Sequence, residues 1–327
     1  MDLKTELKKR TDFFNIELNN YLKDGKPKIL YDAARHLPMA GGKRLRPAIS
    51  MLSCEAVSGD IKNVIPLAIS LELIHNFTLV HDDIMDKSNI RRNIPTVHKK
   101  YGEPTAIIAG DLLFAKSFEV IHNFSGESNI FKKLNYKIVE GIREVCEGQQ
   151  LDMEFEKRNS ITEEEYLEMI KKKTSALFML AAEGGSIAGG GTVDEDIGLR
   201  DYGKYLGLAF QIRDDYLDMS SDVATLGKDI GNDIRNGKKT LIAVHSINNA
   251  SVQDKNLIKS IFGNLKASQE DIKKVYNLFK EIGSVEYAKN LAYTYCDKAK
   301  KSIEILKDSD SKRILNELAE YSIMREK

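Results

Sequence analysis

Apolar residues recur at spacings of three and four over long stretches of this chain. One stretch runs from about Val64 to Asp86 and a second from about Phe131 to Phe155. A third runs from about Thr162 to Ala182 and a fourth from about Asp201 to Asp218, and the segment after Gln269 has the same period. Runs that alternate apolar and polar residues between turn signals are almost absent. The pattern predicts an all-α protein. The segment Ser160-Ile-Thr162-Glu-Glu-Glu165 offers a helix cap followed by acids in the first turn. Breakers fall at Gly41-Gly42, Gly102-Glu-Pro104, Ser125-Gly126 and across Gly227 to Gly237. None is long or repetitive enough to be a flexible linker, and no repeat of 20–50 residues is visible. One domain over residues 1–327 is the expectation.

Within the first periodic stretch the helix pattern carries a charge problem. Residues 81–98 read HDDIMDKSNIRRNIPTVH, which puts Asp82 and Asp86 one turn apart. Like charges at that spacing repel by roughly 0.2–0.5 kcal/mol on an exposed helix. A second copy, QIRDDYLD at 211–218, contains Asp214, Asp215 and Asp218. A single such cluster reads as a solvated helix end; two, each closing a long apolar helix, point to a hard divalent cation. Magnesium binds one or two carboxylates, keeps several waters and shares phosphate oxygens with a substrate. Asp82, Asp83, Asp86, Asp214 and Asp218 are the candidate ligands.

Cations accompany both acidic sites. Gly41-Gly42-Lys43-Arg44-Leu45-Arg46-Pro47 places three positive side chains at a glycine-flanked turn. Arg91 and Arg92 follow the first site, Lys173-Thr174 lies between the two, and Lys228 and Lys238 follow the second. Arginine forks and lysine point charges suit phosphate oxygens. His75 falls within about 20° of Asp82 on a helix but about 10 Å away along it, too far to share one ion. A contact to a second diphosphate suits it better.

Composition narrows the class. The chain is 42% hydrophobic and 30% charged, and its 49 basic residues balance 49 acidic ones. Zero net charge argues against a nucleic-acid binder. Cys54, Cys146 and Cys296 show neither zinc nor disulfide spacing, which fits a reducing compartment. The charged N-terminus lacks a signal-peptide core, and no run approaches the roughly 18 apolar residues of a membrane span. A cytoplasmic protein without stable membrane insertion is expected.

The chain resembles the trans-isoprenyl diphosphate synthases, or polyprenyl synthetases. The motifs that carry the resemblance are GGKRLRP (41–47), IHNFTLVHDDIMD (74–86), RR (91–92), PTVHKKYG (95–102) and AGDLLFAKSFE (109–119). They continue in order with GQQLDMEF (148–155), YLEMIKKKTSALF (166–178), FQIRDDYLD (210–218) and LGKDIGNDIRNGKKTL (226–241). The resemblance implies an isoprenoid synthase-type helical bundle around a central active-site cavity, usually as a homodimer. It implies a magnesium-dependent condensation of isopentenyl diphosphate with an allylic diphosphate, with three ions per active site when substrate is bound. By the same resemblance Asp82, Asp86 and Asp214 are metal ligands. Lys43, Arg46, His75 and Arg92 contact isopentenyl diphosphate. Arg91, Lys173, Thr174, Gln211, Lys228 and Lys238 contact the allylic diphosphate. A cation does not help a carbocation, so Lys173 belongs with the diphosphate and the oxygens of Thr174 and Gln211 with the cation. One departure stands at Asp229, where many relatives have proline.

Residues just before the first aspartate cluster set chain length in this family. Phe77 is bulky and Thr78 small, the pattern of archaeal-type geranylgeranyl synthases. Thr78 lies within about 40° of the Asp82 face and Phe77 about 140° away, so Phe77 as the floor rests on the resemblance rather than on the wheel. A farnesyl synthase and a non-catalytic partner subunit of a two-component synthase are the alternatives. The intact acidic and basic motifs disfavour the latter, and the GGKRLRP cluster with His75 disfavours a terpene cyclase.

Overall fold

The computed structural model describes residues 2–220 and 232–324. The described residues are helical almost throughout, and the all-α expectation holds. They form α1 (Leu3–Tyr21), α2 (Lys28–Met39), α3 (Leu45–Ala56), α4 (Ile61–Met85), α5 (Val97–Tyr101) and α6 (Glu103–Ile121). After these come α7 (Ser128–Glu156), α8 (Glu163–Ile170), α9 (Ala176–Gly189) and α10 (Val193–Ser220). Shorter helices follow, of which Leu241–Asn249, Gln269–Glu281, Ser284–Ser302 and Asp310–Met324 are the main ones. Backbone packing groups the chain into two compact units. The first comprises Met1–Ile142, Leu177–Arg200 and Ile303–Glu317; the second comprises Arg143–Ala176, Asp201–Ser302 and Leu318–Lys327.

The first unit is organised around α4, which packs most extensively on α6 and also on α3. Asp60 caps α4 by accepting from the Lys62 backbone N–H at 2.9 Å. From Ile65 to Ile74 every residue except Pro66 is buried, so this part of the helix is core on all sides. Its last two turns open out: His75, Phe77, Thr78 and Asp82 are half-buried and Asp86 is exposed. One sequence expectation needs correction here. α4 is long and apolar enough to cross a membrane by length and composition, but 67% of its most apolar window is buried inside the protein. The segment reads as a core helix because its apolar surface already has protein partners.

The first unit also contains a two-stranded hairpin that the hydrophobic pattern does not foretell. Ile90–Arg91 pairs antiparallel with Ile94–Pro95, with Arg91 opposite Ile94. Both turn residues, Arg92 (φ 51°) and Asn93 (φ 61°), are left-handed, as a two-residue turn of this twist requires. The strands are too short to alternate visibly, and neither turn residue is glycine.

In the second unit, Thr162 and Glu165 close a reciprocal capping box at the start of α8, the cap foreseen from sequence. After Ile170 the helix widens into a π-helical turn, Lys171–Ser175, and then resumes as α9. Two glycines admit this turn. A Cβ on Gly148 of α7 would overlap the Lys173 backbone, and one on Gly207 of α10 would overlap Ser175. Such widened turns are uncommon and concentrate at functional sites.

Candidate active site

The first unit gathers a cluster of arginines. Arg44 is left-handed (φ 48°) at the start of α3 and is 5% exposed. It pairs with buried Glu72 and donates to Asn15 Oδ1 at 3.0 Å and to the Pro38 carbonyl. Glu72 also accepts from Asn76 Nδ2 at 2.8 Å and lies 4.0 Å from the Arg92 guanidinium. Arg92 donates to the Leu37 carbonyl at 3.0 Å and to the Gly41 carbonyl. Gly42 (φ 140°) sits where a Cβ would be 3.1 Å from Arg92 Cζ, so glycine serves both the backbone and the close approach. Arg46 stacks over Phe178 at 4.6 Å, and its Nε is buried without a hydrogen-bond partner.

Electrostatics mark this cluster as an anion site. Burial, opposed by Glu72, pulls the Arg46 pKa down to about 10. Burial likewise lowers the pKa of Arg92. His75 is held neutral, its pKa well below the ordinary value, first by burial and then by Arg46, Arg92, Arg91 and Arg44. Two buried acids, Glu72 and Asp83, among four arginines leave an excess of positive charge, and Arg46 Nε remains an unpartnered donor. A diphosphate would supply the missing acceptors. Lys43 stands exposed at the turn before Arg44.

The acidic residues divide by helical face. Asp82 is half-buried and Asp86 exposed, one turn apart at the end of α4. Asp83 is turned about 100° from Asp82. It is 1% exposed and accepts from Arg91 Nε at 2.8 Å. Burial raises its carboxyl pKa against the opposing pull of Arg91. Asp83 therefore does not share the Asp82–Asp86 face, and its visible role is to hold Arg91.

The second unit repeats this division. Asp214 is half-buried near the end of α10, while Asp215 is 3% exposed. Asp215 accepts from the Tyr166 hydroxyl at 2.7 Å and from Gln211 Nε2 at 3.0 Å, with Lys238 Nζ 3.9 Å away. Gln211 Oε1 accepts from the Thr174 hydroxyl at 2.8 Å. Lys173 pairs with Asp152 at 2.5 Å. The structure thus brings Thr174, Gln211 and the Asp215–Lys238 pair into one connected network. Sequence reasoning did not single out Tyr166, Asp152, Asp215 or Glu72 for a role. Glu72 left a signal as the single acid within the apolar run of α4, and the other three lie within quoted motifs. Lys228, Asp229 and the side chain of Asp218 lie outside the described residues.

Phe77 is half-buried and packs edge-on to His81 (5.0 Å between ring centres) and against Phe114 of α6 (5.3 Å). Phe114 in turn meets Phe118 at 5.3 Å, so three phenylalanines form a ladder between α4 and α6. The Thr78 hydroxyl donates to the His75 carbonyl at 2.8 Å.

Comparison with known proteins places this geometry. The family model for polyprenyl synthetase matches residues 27–279. The chain is 41% identical to the geranylgeranyl diphosphate synthase of Methanosarcina mazei over 326 residues, covering 100% of this chain and 99% of that one. It is 43% identical to a short chain isoprenyl diphosphate synthase of Methanothermobacter thermautotrophicus over 327 residues, covering 100% and 99%. The crystal structure of geranylgeranyl pyrophosphate synthetase from Pyrococcus horikoshii superposes with a TM-score of 0.95 at 41% identity, covering 99% of this chain and 98% of that one. With two aspartate-bearing helices, an arginine cluster and a family match across most of its length, the chain belongs to the polyprenyl synthetase family of prenyltransferase enzymes.

Proposed function

We propose that this chain is a magnesium-dependent short-chain trans-prenyltransferase that joins isopentenyl diphosphate head-to-tail to dimethylallyl, geranyl and farnesyl diphosphates and stops at geranylgeranyl diphosphate. The observation that carries the reading is on α4. The same helix bears the Asp82–Asp86 pair and the neutral His75 inside the arginine cluster. An acidic site suited to a metal-bridged diphosphate and a basic site suited to direct diphosphate contact, on one element, suit two diphosphates. The names of the full-length relatives support the twenty-carbon product.

The acidic residues fit magnesium. The ion needs one or two carboxylates and completes its shell with water and phosphate, so a three-residue cage is unnecessary. Among the described residues no such cage of His, Cys, Asp or Glu occurs. Asp82, Asp86 and Asp214 would hold the ions, proposed as three with substrate bound, and Asp218 would assist. Magnesium bound there would neutralise the charge that grows on the leaving diphosphate.

The chain's own residues take the remaining roles. Arg91, Lys173, Lys228 and Lys238 hold the allylic diphosphate, Arg91 being oriented by Asp83 and Lys173 by Asp152. Lys43, Arg46, His75 and Arg92 hold isopentenyl diphosphate. As the allylic carbon–oxygen bond breaks, the oxygens of Thr174 and Gln211 face the developing cation. The double bond of isopentenyl diphosphate attacks, and the released diphosphate accepts the final proton. Phe77 floors the cavity for the growing chain, beside Thr78. We further propose that residues 1–327 act as one catalytic domain, as a cytoplasmic homodimer with no stable membrane insertion and no nucleic-acid partner. The exposed apolar side chains of Ile107, Ile108, Tyr136 and Val139 on α6 and α7 support association.

Product analysis tests the reading. Purified protein, magnesium, labelled isopentenyl diphosphate and each allylic primer are combined, and the hydrolysed products are separated by length. A dominant twenty-carbon alcohol is expected. A fifteen-carbon or longer product overturns the chain-length assignment, and no condensation with any primer overturns the enzymatic one.

A further inference from the structure

The buried middle aspartate of the second cluster has no place in the reaction described above. It is the anchor of a one-way hydrogen-bond chain. We propose that Asp215 is a positioning residue that sets the polarity of Thr174, presenting that hydroxyl's lone pairs rather than its proton to the reacting carbon. The inference rests on the reading that Thr174 stands beside the developing cation.

Donors and acceptors fix this polarity. An ionised carboxylate only accepts, whereas a glutamine amide has a donating end and an accepting end. Gln211 by itself could adopt either orientation. Its partner decides: the group 3.0 Å from Asp215 Oδ1 must be the amide nitrogen. The amide oxygen then faces Thr174, 2.8 Å away, and the single hydroxyl proton of Thr174 is committed to it. Only lone pairs remain for whatever lies on the other side of that oxygen. Lone pairs stabilise a developing carbocation; a free O–H proton would oppose it.

The other oxygen of Asp215 is fixed in the same sense. Tyr166 is 1% exposed, and its hydroxyl donates to Asp215 Oδ2 at 2.7 Å. Burial and Asp215 together raise the phenol's pKa well above its ordinary value, which keeps it a donor. Lys238 Nζ lies 3.9 Å from the same carboxylate. Thr174 itself lies on the π-helical turn held between Gly148 and Gly207, so its hydroxyl is fixed by backbone as well as by hydrogen bond.

A double-mutant cycle on the full-length protein tests this, reading kcat, KM for each substrate, the magnesium midpoint and the thermal midpoint. Thr174→Val is expected to lower kcat by about 10- to 100-fold with little change in either KM, and Thr174→Ser to restore most of it. Asp215→Ala should lower kcat on its own but add less than about twofold in the Thr174→Val background, because both changes remove one effect. The magnesium midpoint should not move. Asp215→Asn provides a gentler variant should alanine prevent folding. Its one oxygen can accept from Tyr166 or from Gln211 but not both, and its loss should vanish in the same background. Losses that multiply, or a shifted magnesium midpoint, would overturn the proposal, because Asp215 would then act on something other than Thr174. If Thr174→Val keeps its wild-type kcat, the placement of Thr174 beside the cation fails and takes the proposal with it.

Discussion

Replacing Glu72 by glutamine isolates the energetics of the arginine cluster. The change keeps the shape of the side chain and one acceptor oxygen, and removes only the charge. Glu72 and Arg44 have side chains 3% and 2% exposed, so water cannot substitute for the lost carboxylate. Arg44 would keep Asn15 Oδ1 and the Pro38 carbonyl as acceptors but lose its counter-ion. Arg46 and Arg92, whose charged forms Glu72 favours, would lose that support as well. Breaking a buried ion pair from one side costs about 3–5 kcal/mol, and the retained acceptor argues for the lower end. At roughly 2 °C per kcal/mol for a chain of this size, the thermal midpoint should fall by about 6 °C. The assay is calorimetry at fixed protein concentration without diphosphate, with Asp12→Asn as the comparator. Asp12 pairs with Lys8 at 2.5 Å, but the two side chains are 59% and 74% exposed, and loss of that pair should leave the midpoint in place. Inorganic diphosphate should restore part of the Glu72→Gln loss by supplying anionic acceptors. A Glu72→Gln protein as stable as the wild type would refute the premise that Glu72 balances Arg44, Arg46 and Arg92.

Three further changes probe other parts of the molecule. Gly148→Ala should displace the Lys173 backbone and lower kcat at least about tenfold while far-ultraviolet circular dichroism stays helical; undiminished kcat would show that the π-helical turn tolerates the Cβ. Phe77→Ser should lengthen the product by opening the aromatic ladder at its first ring, and an unchanged product distribution would remove Phe77 as the floor. His75 gives a pH dependence. Burial and four arginines hold it neutral in the folded state, so below the ordinary value of 6.5 only the unfolded chain takes up the proton. Wild-type stability therefore falls relative to His75→Gln by about 1.4 kcal/mol per pH unit below that value, and the difference is flat above it. A difference that stays constant from pH 8 to pH 5, read by denaturant unfolding, would contradict the placement of His75.

What the sequence made legible was local or periodic. The apolar run before Asp82 and the Thr162–Glu165 cap are decided within one or two turns of helix, so α4 and α8 could be read directly. The Asp82–Asp86 face follows from the same period. By the same period, one residue is about 100° of rotation, which carries Asp83 off the shared face. The rest depended on contacts that no local pattern encodes. Arg92 is aimed by a hairpin of two-residue strands and by carbonyls more than fifty residues earlier in the chain. Glu72 meets its counter-ion 28 residues upstream, and Tyr166 reaches Asp215 across 49 residues. The two buried aspartates make the physical point most sharply. In sequence, Asp83 and Asp215 share residue type and motif with the candidate ligands, and only the helical period hints at a different face. Packing separates them: Asp83 Oδ1 accepts from Arg91 while its Oδ2 is buried without a partner, and Asp215 accepts from Tyr166 and Gln211. Each cluster thus holds one buried aspartate that orients neighbouring side chains. A chain that kept only the outer aspartates would lose the groups that aim Arg91 and Gln211.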